Sequence, residues 1–172
     1  MTVPSPSLRR LSAALLAVAL CGAAAGCDDD GGSGEAGLLE LRPVLAANAP
    51  PCPEKSDNGL VLPRSAEGKV AECLELGKPI VDADDVRSAT VAETPGKEPA
   101  LSVVLGGVGS ANLDGYAKAN QGKRLAIVAD GAVVSAPVLQ FAAFAGRIQV
   151  SGLSKEKTDD LFRRLNEVIK PG

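Results

Sequence analysis

The stretch Lys123 to Val138, KRLAIVADGAVVSAPV, limits the possible folds of this chain more than any other segment. Two aliphatic runs, 125–129 and 132–134, flank the dipeptide Asp130-Gly131. Asp-Gly tolerates the positive φ angles that a two-residue hairpin turn requires. The pattern therefore predicts an antiparallel β-hairpin that turns at Asp130 and Gly131. Pro137 lacks a backbone N–H, so we expect it to mark the end of the second strand or a sheet edge.

Other segments are typical of regular structure. Apolar residues indicate strands at 37–46, 88–92, 100–105 and 147–152. A helix is expected within 111–120, where apolar residues recur at helical spacing, and another between Ser154, a favourable N-cap, and Pro171. Strands that alternate with two helices predict an α+β fold, a two-layer sandwich of one mainly antiparallel sheet with two helices on one face.

A Pro/Gly-rich insertion near residues 47–78 separates the first two predicted strands, and we expect it to be an irregular excursion. It contains Cys52 and Cys73. An even pair of cysteines in an exported domain indicates a disulfide, which would stabilise by about 3 kcal/mol through closure of a loop of about 20 residues. A metal site at these cysteines is disfavoured, because the chain has no histidine and the domain has no further cysteine.

The N-terminal segment is typical of an export signal. Arg9-Arg10 precedes an apolar run at 11–25, which at about 15 residues is short of the roughly 20 needed to cross a bilayer. The run ends in AAGC, which resembles the bacterial lipoprotein box, whose cysteine is lipidated and becomes the new N-terminus. We therefore predict a signal peptide at 1–26 and a lipid on Cys27. An uncleaved anchor and a soluble export signal are the alternatives.

The residues that follow Cys27 suggest how the chain is organised. The hydrophilic run DDDGGSGEAG buries no apolar surface, so we expect 27–37 to be the lipidated cysteine and a flexible tether. The folded domain is expected over 38–170, lipid-anchored at the extracytoplasmic face of the cell membrane. The net charge of −3 and the absence of a basic stripe argue against a nucleic-acid partner.

No residue pattern predicts catalysis, a metal or a cofactor. Ser135 is a poor candidate for a hydrolase nucleophile, because the chain has no histidine to act as its general base. A tight turn accounts for Asp130, and GGVGS lacks the spacing of a phosphate-binding loop. Clustered carboxylates such as Asp82, Asp84 and Asp85 are suitable calcium ligands, but the twelve-residue calcium-binding loop pattern is absent. We therefore prefer a solvated turn at these residues.

Phe141 and Phe144, which we call the lip residues, are half of the four aromatic residues. They lie in a segment with little regular structure. One interpretation is a core plug between the hairpin and the next strand. The other is an apolar lip that binds extended polypeptide, since exposed apolar patches mark such contacts. The sequence leaves both open.

The hairpin and the residues after it resemble a known family. GKRLAIVADGAVVSAPVLQ and GRIQVSGLSKEKTDDLFRRLN are similar to the head subdomain of the first large extracytoplasmic domain of SecD and SecDF, membrane subunits that assist protein export. The matching positions are Gly122, Leu125, Ala126, Ile127, Val128, Asp130, Gly131, Val133, Ser135, Ala136, Pro137, Gly146, Val150, Ser151 and Gly152. LELRPV at 39–44 is similar to the family's E-F-R-x-V strand.

The resemblance implies contact with exported polypeptide, and it transfers no site residue. We do not recognise the family's proton-driven transmembrane helices or its base subdomain here, and we expect a detached head on a lipid. The favoured hypothesis is a non-enzymatic lipoprotein that binds exported or unfolded polypeptide or assists translocation. The alternative is a structural or adaptor lipoprotein that docks on a folded envelope or membrane partner. An envelope hydrolase is disfavoured by the missing histidine.

Overall fold

The structure is a computed structural model that describes residues 37–53, 60–66, 69–93 and 98–169. The predicted signal peptide, the predicted lipid site at Cys27 and the tether up to residue 36 lie outside the described residues. The domain boundaries at 38 and 170 therefore remain predictions.

The described residues form eight strands, two α-helices and one turn of 3-10 helix. In chain order these elements are β1 (Leu39–Asn48), β2 (Leu60–Ala66), β3 (Lys69–Leu76), the 3-10 turn (Ala83–Asp85), β4 (Val86–Ala92), β5 (Ala100–Leu105), α1 (Gly107–Ala119), β6 (Leu125–Ala129), β7 (Ala132–Ser135), β8 (Arg147–Val150) and α2 (Lys155–Val168). The predicted α+β fold with two helices is confirmed.

The strands form two sheets, both antiparallel. One has five strands in the order β2-β3-β1-β6-β7, and the other has three in the order β4-β5-β8. The expectation of a single sheet was therefore wrong. The five-stranded sheet exists because β1 pairs on both sides, with β6 along one edge and with β3 along the other.

The insertion near 47–78 is not the irregular excursion that its prolines and glycines suggested. It contains the paired strands β2 and β3, which extend the sheet beyond β1. Pro63 is tolerated in β2 because that strand is a sheet edge, where a missing N–H costs little. A disulfide joins Cys73 of β3 to Cys52, with 5.2 Å between the Cα atoms. It holds the loop before β2 to the adjacent strand.

The hairpin turn lies where Asp-Gly indicated. Asp130 has φ 50° and Gly131 has φ 69°, so both residues occupy the left-handed region that a tight hairpin turn needs. The turn also contacts the start of the fold, because the Gly131 N–H donates to the Gly37 carbonyl at 2.9 Å. Strand β7 ends at Ser135, two residues before Pro137.

Strand β6 is buried on both faces and separates two apolar cores. Leu125, Ile127 and Ala129 face the main core, which includes Leu113 of α1 and other helical residues. Ala126 and Val128 alternate with them and face a second, smaller core. The remaining buried members of that smaller core are Leu74, Leu76 and Val133. It exists because the five-stranded sheet curls until its edge strands β2 and β7 approach each other.

Helix α1 begins earlier than its apolar spacing suggested. It starts at Gly107, so most of GGVGS is helical rather than a loop before the helix. The lack of a side chain at Gly109 permits this start, because a Cβ there would lie 2.6 Å from the Cβ of Asp85. Helix α2 begins after Ser154, whose hydroxyl oxygen accepts from the Lys157 N–H as predicted. Its buried residues include Leu161 and Leu165.

Candidate functional site

The candidate site is an apolar cavity of about 150 Å³ between strands β6 and β8. Its lining residues are Leu41, Leu113, Leu125, Ile127, Pro137, Leu139, Phe144, Arg147, Ile148 and Gln149. These residues come from β1, α1, β6, β8 and the segment that joins β7 to β8. Most are aliphatic, so the cavity suits an apolar group.

The segment 136–146 borders the cavity and is held at both ends. At its start, the Pro137 carbonyl accepts from the Leu125 N–H at 3.0 Å, and the Leu139 N–H donates to the Lys123 carbonyl at 2.8 Å. Near its end, the Phe144 N–H donates to a carboxylate oxygen of Asp114 on α1 at 2.6 Å. These bonds link the segment to β6 and to α1, the elements that line the cavity.

The two lip residues have different environments. Phe144 is half-buried, packs against the main core and lines the cavity. Phe141, three residues earlier, is 69% exposed. Phe144 thus fits the core-plug interpretation, while Phe141 presents an aromatic ring to solvent from the segment that borders the cavity. Val138, at the start of the same segment, is also exposed.

Strand β8 borders the cavity with three successive residues, Arg147, Ile148 and Gln149. It is an edge strand, because in the described part of the chain only β5 pairs with it. Its side chains alternate strictly: Ile148 and Val150 are buried, and Arg147 and Gln149 are exposed. The cavity therefore lies beside an exposed strand edge.

The electrostatics of the cavity are simple. Arg147 is the single charged residue among those that line it. No described carboxylate forms an ion pair with Arg147. A cavity whose described lining is apolar apart from one cation suits the binding of an apolar group.

The acidic residues considered from sequence have structural roles. Asp130 forms an ion pair with Arg164 of α2 at 2.5 Å. The carboxylate of Asp82 caps the 3-10 turn by accepting from the Asp84 N–H at 3.0 Å. The carboxylate of Asp85 in turn accepts from the Asp82 N–H. Burial raises the pKa of the Asp85 carboxyl above its ordinary value. In the described ranges, no group of three His, Cys, Asp or Glu residues is arranged to hold a metal ion.

A second depression, of about 590 Å³, lies between the hairpin turn, β2 and the start of α2. Its charged lining residues are Asp130, Glu156, Lys157 and Asp160. Two of these four, Asp130 and Asp160, already form ion pairs with Arg164. These two carboxylates therefore have a structural role, because they hold α2 against the hairpin turn and within its own first turns.

The sequence singled out Phe141 and Phe144 but gave no indication of the cavity. The lining residues Leu41, Leu113 and Leu125 are spread over 85 positions of the chain, and only the tertiary fold brings them together. The available signal for the edge beside the cavity was the predicted strand at 147–152, in which apolar and polar residues alternate.

No described helix is long and apolar enough to span a membrane.

Comparisons with known proteins place this geometry in context. Residues 61–167 match the family described as SecDF, P1 head subdomain. Protein translocase subunit SecDF of Thermus thermophilus is 34% identical over 80 residues, which are 46% of this chain and 11% of that protein. The chain thus matches a small part of its curated relative.

Two solved structures are similar in fold. The structure of SecDF as a membrane component that enhances protein export matches with a TM-score of 0.54 and 25% identity, over 74% of this chain and 60% of that one. The crystal structure of SecDF in its super-membrane-facing form matches with a TM-score of 0.53 and 25% identity, over 74% of this chain and 18% of that one.

Proposed function

This chain belongs to the SecDF P1 head subdomain family, and from that premise we propose that it is a non-enzymatic extracytoplasmic module that binds exported or unfolded polypeptide. SecDF is described as a membrane component that enhances protein export. A head domain with that ancestry has a role in protein translocation through contact with the polypeptide in transit. The proposal concerns this chain's head and not the other parts of SecDF.

One observation carries the proposal: an apolar cavity lies beside an exposed strand edge, and the segment that borders it also carries an exposed aromatic residue, Phe141. Unfolded polypeptide differs from folded protein in presenting apolar side chains together with unpaired backbone groups. The cavity at Leu125 and Ile127 suits the side chains, and the edge of β8 suits the backbone. Phe141 adds an exposed aromatic side chain with a large apolar contact area.

The membrane anchor is proposed from the N-terminal sequence alone. A lipid on Cys27 and a tether up to residue 37 hold the head at the extracytoplasmic face of the cell membrane, close to emerging polypeptide. A lipid at the chain terminus leaves the folded domain free to rotate, which suits capture of segments that arrive in different directions.

Binding of a permanently unfolded protein tests this function. The full chain is titrated against reduced, carboxymethylated α-lactalbumin, and the dissociation constant is measured by fluorescence anisotropy. We expect saturable binding that weakens at least about fivefold in Phe141→Ser, because the exposed ring loses its apolar contact. Leu60→Ser is the matched control, since Leu60 is also a large exposed apolar residue but lies on β2. Absence of saturable binding by the unaltered chain contradicts the proposal.

A second candidate function is an adaptor that docks on a folded envelope or membrane partner. Leu45 and Leu60 favour it, because both are exposed and lie on strands that flank β3. Site-specific crosslinking separates the candidates. In cells, site-specific crosslinking from position 60 that captures one folded protein, together with loss of that product in Leu45→Ser, supports the adaptor. Crosslinks from position 141 to many newly exported chains support polypeptide binding.

A further inference from the structure

The backbone of β8 has hydrogen-bonding groups that face away from its own sheet. The Leu105 N–H donates to the Gly146 carbonyl at 2.8 Å, which makes this position a hydrogen-bonded pair of the antiparallel ladder. Such pairs alternate, so with the observed register Ile148 and Val150 bond to β5, while Arg147 and Gln149 direct their backbone groups to the free edge. The Arg147 N–H donates to the Phe144 carbonyl at 3.0 Å. The Arg147 carbonyl and both backbone groups of Gln149 therefore remain for another strand.

The cavity reaches the free edge of β8. Residues 147, 148 and 149 line it in succession, and its aliphatic lining belongs to the main core that Ile148 faces. A strand added to this edge would direct alternate side chains to the face that Ile148 and Val150 share. The side chain next to Ile148 would then enter the cavity. An apolar cavity of about 150 Å³ holds one benzene-sized group, so this one suits a single aliphatic or aromatic side chain.

Charge complementarity at Arg147 further limits which sequences of bound polypeptide are favoured. Arg147 is exposed, precedes Ile148 and has no ion-pair partner among the described residues. The residue that faces Arg147 from an added strand is adjacent in sequence to the residue that enters the cavity. Opposite charges across a strand pair attract, whereas like charges repel. The edge therefore favours an acidic residue next to the apolar one.

We propose that the free edge of β8 accepts an extended polypeptide as a fourth strand of the β4-β5-β8 sheet. One apolar side chain of that polypeptide occupies the cavity, and an adjacent acidic residue faces Arg147. This inference rests on the proposed function and specifies how the polypeptide is bound and which sequence is preferred. Backbone pairing supplies affinity that is independent of sequence, and the cavity and Arg147 supply the selectivity.

The test uses the full chain and a fluorescein-labelled peptide, Ser-Thr-Thr-Leu-Glu-Thr-Thr-Ser, with binding followed by anisotropy. Replacing the peptide leucine with alanine should weaken binding roughly tenfold, because the cavity is left unfilled. Replacing the glutamate with lysine should weaken it about threefold at low salt. The reversed order, Glu-Leu, tests strand direction, since the residue that faces Arg147 follows the apolar residue in an antiparallel pair and precedes it in a parallel one.

Two modifications make the test specific for strand addition. Methylation of single peptide nitrogens should weaken binding at alternate positions only, roughly tenfold at each sensitive one, because only every second N–H faces β8. The variant Arg147→Glu should reverse the glutamate-over-lysine preference, and Arg87→Glu, an exposed change on β4, should leave it unaltered.

The outcomes distinguish this inference from the function on which it rests. Alternating N-methyl sensitivity together with reversal in Arg147→Glu supports the β8 edge. Binding of carboxymethylated α-lactalbumin without either effect overturns the β8 inference and leaves polypeptide binding in place. Failure of the unaltered chain to bind both the unfolded protein and the peptide overturns both.

Discussion

The guanidinium group of Arg124 donates two hydrogen bonds to the carboxylate of Glu72, from which it is separated by 52 positions in the sequence. The distances are 2.9 Å from Nη1 to Oε2 and 2.6 Å from Nη2 to Oε1. Arg64 pairs with the same carboxylate, and the Arg124 Nε donates to the Ala136 carbonyl at 3.0 Å. This cluster connects the β2–β3 hairpin to the residues before β6 and after β7, and so closes the curled sheet.

The first prediction concerns acid stability. Hydrogen bonding to Arg124 lowers the pKa of the Glu72 carboxyl to about 2 from an ordinary 4.5. A lowered folded-state pKa means that the stabilisation is complete above about pH 4.5 and declines as the pH falls towards 2. We expect Glu72→Gln to reduce the free energy of unfolding by about 2 kcal/mol at pH 7, and by much less near pH 2. Urea unfolding at both pH values measures this.

The control for Glu72 is Glu98→Gln, which removes an exposed carboxylate. It should change the free energy of unfolding by less than about 0.5 kcal/mol at either pH. An equal loss in Glu72→Gln at both pH values would show that the cluster stabilises the fold by packing rather than by charge.

The second prediction compares two glycines of helix α1. Alanine at Gly109 would place its Cβ 2.6 Å from the Cβ of Asp85, so we expect Gly109→Ala to destabilise the fold by about 1–3 kcal/mol. Gly115 lies in the same helix with no atom within 4 Å of such a Cβ. There alanine should stabilise by about 0.5–1 kcal/mol through helix propensity. Opposite signs in thermal unfolding confirm the contact, and equal signs contradict it.

The third prediction concerns the disulfide. Cys52 and Cys73 are 21 positions apart, and opening a loop of that size should reduce the free energy of unfolding by about 3 kcal/mol in the double variant Cys52→Ser, Cys73→Ser. Urea unfolding with and without a reducing agent provides the measurement. The reducing agent should reproduce the loss in the unaltered chain and have no effect on the double variant. A reductant effect that persists in the double variant would assign the loss to another cause.

The fourth prediction tests the anchor. In a bacterial host we expect the mature protein to begin at Cys27 and to carry the mass of an attached acylated group, measured on the intact protein. Cys27→Ser should move the protein from the membrane fraction to the soluble fraction. Cys21→Ser, six residues earlier in the same segment, should leave it in the membrane. An unmodified thiol at residue 27 in the mature protein contradicts the lipoprotein proposal.

Elements set by local chemistry were predictable from sequence. Asp130-Gly131 turns the chain because few other dipeptides accept two successive positive φ angles, and the structure shows both. Ser154 begins α2 because its hydroxyl can satisfy a free backbone N–H of the first turn. The strand at Ala100–Leu105 was placed at its observed boundaries. These features depend on interactions within a few residues of the chain.

What sequence did not predict depends on distant partners. The prolines and glycines before Cys73 suggested irregular structure, yet β2 and β3 form because β1 offers a second edge for pairing. The cavity at β8 has no local signature, since neither Leu41 nor Leu113 is distinguishable in sequence from an ordinary core leucine. Tertiary context decided both outcomes.

Strand β6 contributes alternate side chains to two cores, and this sharing couples the two cores when a ligand binds. Leu125 and Ile127 border the cavity, while Ala126 and Val128 pack in the smaller core with Leu74 and Leu76 of β3. A ligand in the cavity that restrains β6 therefore also restrains the side chains that β6 contributes to the smaller core. Occupation of the cavity and packing of the smaller core are thereby coupled through β6. Backbone amides on both sides of β6 should therefore gain protection from hydrogen exchange together when a ligand binds.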